Sequence, residues 1–161
     1  MKSLQTKMEK PKLVRIDLDQ PITELVGKTD HKTLAIWAAD CAMRVLPYFE
    51  EKYPEDTRPR KAIEACREWA RTGVFRMADV RKVALAAHAA AREAEAEENI
   101  AARSAARAAG QAAATPHVPR HSVGAAVYAA TAVRDEVEAT VADAAVSQER
   151  NWQYHHLIEL Q

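Results

Sequence analysis

From Asp30 to Trp152 the apolar residues return every three or four positions, the spacing that lines one side of an α-helix. Leu34, Trp37, Ala38, Cys41, Val45, Leu46 and Phe49 make the first stripe, with Thr29 or Asp30 placed to accept the free N–H groups at its start. Pro47 lies inside that stripe and removes the donor Met43 would otherwise receive, so the helix must bend or loosen there. A second helix opens at Asp56 or Thr57, tolerates Pro59 in its first turn, buries Ala62, Ile63, Cys66, Trp69 and Ala70, and stops at Gly73. A third starts near Asp79 and turns Val80, Val83, Ala84, Ala87 and Ala91 inward. The acidic run Glu93 to Glu98 interrupts the pattern, and Asn99 can cap a fourth helix from Ile100 to Ala114; one unbroken rod over 79–114 is the alternative. Pro116 and Pro119 punctuate the chain. A fifth helix then faces Val123, Val127, Ala130 and Val133 inward with Tyr128 at its flank, and the last carries Val137, Val141, Ala144, Ala145, Gln148 and Trp152. Arg134-Asp135-Glu136 is either a turn between these two or part of one continuous helix.

The two ends read differently. Leu13 to Asp19 alternates Val14, Ile16 and Leu18 with Arg15, Asp17 and Asp19, a period of two that predicts an extended arm or one short strand. Such a strand lies along the helical body or pairs with another chain. The polar segment 155–161 is expected to fray or dock loosely. The pattern therefore predicts an all-α fold: a single compact bundle of five or six helices over 31–154, a short extended N-terminal arm over 1–30, and a C-terminal tail over 155–161.

Composition adds a packing requirement. Alanine dominates from Ala84 to Ala114 and offers little area to bury, so these helices must approach closely, with Trp37, Trp69, Trp152 and Phe49 filling the gaps. The 23 basic and 23 acidic side chains cancel, and nothing in that balance calls for nucleic acid or an anionic membrane. Cys41 and Cys66 fall on apolar stripes and read as buried free thiols. Met1-Lys2-Ser3 continues into charge rather than a signal peptide, and charges at Arg92, Glu93, Glu95, Glu97 and Glu98 break any membrane span. The expected compartment is the cytoplasm.

Little of the familiar catalytic grammar is present. The four glycines are isolated, so there is no phosphate cradle or dinucleotide fingerprint. His88, His117 and His121 are the candidate ligands or proton carriers, but no HExxH, ExxH or CxxC spacing accompanies them, and no cofactor or metal is expected. Asp56-Thr57-Arg58-Pro59-Arg60-Lys61 puts three cations at a helix N-terminus, against the dipole. Asp56, Glu64, Asp40 or a partner's carboxylate must compensate, through an internal network or an interface. The Glu93–Glu98 run is either a solvated face or a surface for a basic partner, and Glu149 to Gln153 reads as a clamp between helix ends.

The segments ADCAMRVLPYFE (39–50), DTRPRKAIEACREWARTG (56–73), VALAAHAAAREA (83–94), AAGQAAATPHVPRHSVGAAVYAATAV (108–133) and ERNWQ (149–153) resemble the Imm-5-like family of small helical bacterial and archaeal immunity proteins. The resemblance covers about residues 35–153. It implies an antagonist of a cognate toxin, and it marks Asp40, Arg58, Pro59, Arg60, Trp69, His88, His117, His121 and Trp152 as the positions expected to matter for binding. It brings no catalytic set, and Gln111 stands where a histidine would be familiar. Three functions are thus expected: a toxin-binding module without turnover, a small metal protein or enzyme built on His88, His117 and His121, or a helical scaffold that pairs as a homodimer.

Overall fold

A computed structural model describes residues 12–74 and 76–161. Among them are seven helices and no strand: α1 (Asp19–Val26), α2 (His31–Glu50), α3 (Arg58–Thr72), α4 (Met77–Ala96), α5 (Ile100–Ala114), α6 (His121–Glu136) and α7 (Ala139–Glu159). α2 and α5 lie at the centre, packed on each other; α3 and α6 each touch both, α4 lies on α5 and α3, and α7 lies on α6 and α2.

Several boundaries follow from local chemistry. Asp30 accepts the Thr33 N–H at 2.9 Å and caps α2, which runs through Pro47 to Glu50. Pro59 occupies the first turn of α3, and Gly73 closes it in the left-handed conformation at φ 69°. α4 and α5 are separate helices. The turn between them places Glu98 at φ 62°, a conformation glycine would adopt at less cost. Asn99 caps nothing with its side chain; it donates to the Tyr53 hydroxyl at 2.7 Å, and Tyr53 donates to Glu97 at 3.0 Å. The expected cap is instead a strut from the α2–α3 loop to the turn.

α5 is buried all round, as a helix of small residues between four neighbours must be. Ten of its fifteen residues are buried, most of them alanine. Two of the four expected gap-fillers, Trp37 and Phe49, are fully buried; Trp69 and Trp152 are only half-buried. Both cysteines are buried and free.

Three expectations are corrected. The count among the described residues is seven helices rather than five or six, and the first lies in the segment read as extended: Val14 to Ile16 form no regular element, and the Val14 N–H donates to Thr131 of α6 at 3.2 Å. Leu18, Ile22, Leu25 and Val26 carry a helical spacing that the alternation just before them obscured, and they pack into the core. The C-terminal segment does not fray: α7 continues to Glu159, and Leu157 is fully buried. The inward faces of α6 and α7 match the expected ones only in part: Ala130 and Val133 are buried, and Ala145 and Trp152 pack on the core, as expected, while the rest of each face is turned. Ala125, Ala126, Ala129 and Ala132 face inward on α6 while Val123 and Val127 flank, and α7 buries Ala142, Val146, Glu149, Arg150 and Gln153 while Val141 is exposed. Close approach selects the smallest side chains for α6, and α7 buries its polar residues because each has a partner.

Candidate functional site

Asp40 and Trp152 meet in one ladder across α3, α2 and α7. Glu149 is held by two parallel bonds from Arg44, at 2.7 and 3.0 Å. The Arg44 guanidinium lies 3.9 Å over the Trp152 ring, which stacks on His156 with centroids 4.6 Å apart. His156 Nε2–H donates to Asp40 at 2.8 Å, and Asp40 also accepts from Arg67 at 3.0 Å. One step inward, fully buried Arg150 donates to Asp19 at 2.7 Å and to Gln153 at 2.8 Å. Gln153 donates to the Ala126 carbonyl at 2.8 Å, and its own carbonyl accepts the Trp37 indole N–H at 2.8 Å. The 149–153 segment is therefore a clamp joining α1, α2, α6 and α7.

The histidines sort into a second cluster at α4, α5 and α6. The His88 ring packs against Gly110, where a Cβ would stand 2.7 Å from it, and its Nδ1 accepts from Arg107 at 3.0 Å. Burial and the Arg107 charge push its pKa down to about 4, so the ring is a neutral acceptor with its proton on Nε2. His121 Nδ1–H donates to Gln111 at 2.8 Å, and its pKa is also lowered by burial and by His117. Gln111 in turn sits against Gly124, where a Cβ would stand 2.7 Å from its side-chain oxygen. Gln111 thus holds His121 in place, and its amide offers no imidazole lone pair. No group of three or more His, Cys, Asp or Glu suited to a metal occurs among the described residues.

Arg58 and Arg60 are committed elsewhere. Arg58 grips Asp56 at 2.7 Å and also pairs with Glu93, both of which raise its pKa, while Arg60 grips Glu50 at 2.6 Å. The internal network resolves the unfavourable dipole. It also absorbs much of the acidic run: Glu93 binds Arg58, Glu95 pairs with Arg103 at 3.3 Å, and Glu97 accepts a hydrogen bond from the Tyr53 hydroxyl. Trp69 tilts against His31 with centroids 4.6 Å apart, and His31 Nε2–H donates to the Thr115 carbonyl at 2.7 Å.

Desolvation raises both thiols, Cys66 to about 12, so neither supplies a thiolate near neutral pH. A cleft of about 720 Å³ lies between the α4–α5 turn and the end of α6, where Lys52, Glu98, Arg103, Arg134 and Glu136 place both signs of charge together. A smaller groove of about 150 Å³ lies beside His117, lined by Met77, Val80, Arg81, Leu85 and Ala114. Ala84 of the inner stripe also lines it. The partners Arg44, Asp19 and His156 were not legible in the sequence, because they lie 105 to 131 residues from the groups they bind.

These features define a class: a small all-helical protein whose thiols are buried and whose imidazoles and guanidinium groups mainly tie helices together. The chain belongs to the family described as "Imm-5 like putative immunity protein", whose model matches residues 24–160, from α1 through α7. No curated protein and no solved structure matches it. No helix among the described residues is long and apolar enough to cross a membrane.

Proposed function

We propose that this chain is an immunity protein that binds a cognate toxin and blocks it by occupying its surface, without turnover. The family match over residues 24–160 carries the reading, because it spans the whole helical body rather than one motif. The chemistry is consistent with it. His88, His121, Arg58 and Arg60 are engaged within the molecule, so they stiffen a scaffold rather than stand ready for a reaction. A rigid surface loses little entropy on binding, which is what a stoichiometric inhibitor requires. The two buried free thiols suit a reducing compartment, and the encounter is assigned to the cytoplasm.

The test uses the toxin-domain protein encoded beside this gene. Co-expression should restore growth, and the purified toxin's activity should fall in a straight line to zero at one equivalent of this chain. Full toxin activity at a large molar excess would refute the reading, and so would neutralisation well below one equivalent, which would mean turnover.

A further inference from the structure

Two arginines are buried among the described residues, and they are not equally satisfied. Arg150, exposed by 1%, donates to Asp19 at 2.7 Å and to Gln153 at 2.8 Å. Arg103, exposed by 9%, reaches Glu95 only at 3.3 Å and Ser104 only at 3.5 Å, lengths at which a hydrogen bond is weak. Each leaves its Nε–H without an acceptor among the described residues, so Arg103 is the buried cation with the least compensation. Its side chain lines the cleft of about 720 Å³ at the start of α5, together with Ile100, Ala101 and Ala102. The backbone N–H groups of those three residues also have no acceptor among the described residues, and Asn99 gives them no side-chain cap.

An open helix end and an under-compensated guanidinium thus converge on one concavity. Both consist only of donors, and both are positive in whole or in part. The group that completes them is negative and accepts without donating: an oxyanion, held as helix N-termini hold carboxylates and phosphates. The rest of the lining chooses between those two. Glu98, Asp135 and Glu136 stand in the same cleft, so one negative charge is matched by Arg103 and the helix end, whereas a second is repelled. The volume is that of a pocket for a small organic molecule rather than for a lone ion.

We propose that this cleft binds a small organic acid, whose single carboxylate bridges the first N–H groups of α5 and the Arg103 guanidinium. The site goes beyond the immunity reading and does not rest on it, so the protein alone tests it. Titration with lactate at constant ionic strength, followed by amide NMR, should move the Ala101 and Ala102 signals along a saturating curve, with half-saturation below about 20 mM. Arg103→Met removes the buried charge without orphaning another, and should weaken binding about tenfold or more. Ile100→Pro deletes one N–H where proline suits a helix start, keeps Arg103, and should weaken binding about threefold. Thermal melting without lactate checks the fold of both variants, and Ile100→Pro alone decides if Arg103→Met melts low. Succinate and inorganic phosphate should bind about threefold more weakly than lactate, because of the acidic lining. No saturation by about 100 mM would overturn the proposal. Equal binding by wild type and both variants would do the same, since the shifts would then be a general salt effect. Phosphate binding tighter than lactate would make it a phosphate site and end the carboxylate assignment. If lactate does not bind but Arg103→Met lowers affinity for the toxin about tenfold, the carboxylate belongs to the toxin and the free-ligand proposal falls.

Discussion

The two sides of the bundle are held together by opposite means. Where α5 meets α4 and α6, the seam is mostly alanine, and its few larger side chains, His88 and Gln111, are set against Gly110 and Gly124. Where α7 meets α2, α1 and α6, the seam contains Trp37, Arg150, Gln153 and Glu149, joined by directional bonds over long sequence separations. The first seam is governed by volume and the second by pairing. They should therefore fail differently.

The pairing seam should give the largest loss. Asp19→Ala removes the carboxylate from fully buried Arg150, and leaving such a charge uncompensated costs about 3 kcal/mol or more. Arg150→Met removes the charge itself and should cost clearly less, because burying neither member is cheaper than burying one. Urea denaturation of both variants checks the order; equal losses would show that packing, not charge, dominates this side.

The volume seam answers to size. Ala109 is fully buried in α5, and Ala109→Leu should cost about 1–3 kcal/mol by forcing the helices apart. Ala144→Leu on the exposed side of α7 should change stability by less than about 0.5 kcal/mol. Comparable effects at the two sites would mean that α5 has room to spare.

A smaller effect separates the seams by pH. His88, on the alanine side, has its folded pKa lowered to about 4 from 6.5, and His121 is lowered in the same direction. The unfolded chain therefore takes up protons before the folded one. The histidine contribution is complete above pH 6.5 and is lost as pH falls toward 4. His88→Asn keeps an acceptor for Arg107 and should flatten that decline in thermal melts, which Arg150→Met should not.

The sequence was informative in proportion to how local the cause was. Asp30, Pro59 and Gly73 act within one turn, and α2, α3 and α5 begin or end where those residues and the acidic run predict. Rotation of α6 and α7 depended on distant partners. Weighting Val123 and Val127 above their alanine neighbours pointed the wrong way, because a close seam excludes the larger side chain. The Glu149–Gln153 segment reads as a clamp between helix ends, but its partners Asp19 and Trp37 required the fold. Of the candidate site, the Arg58 and Arg60 network was foreseen in kind, whereas its partners Glu93 and Glu50 required the fold.

The central claim is that close packing of small side chains makes the α5 seam the most rigid part of this scaffold. Native-state hydrogen exchange tests it amide by amide. Buried α5 amides from Ala105 to Ala112 should exchange only through global unfolding, with free energies equal to that of denaturation, while α1 should open locally at lower cost. Exchange of α5 by local opening, ahead of α2, would contradict it.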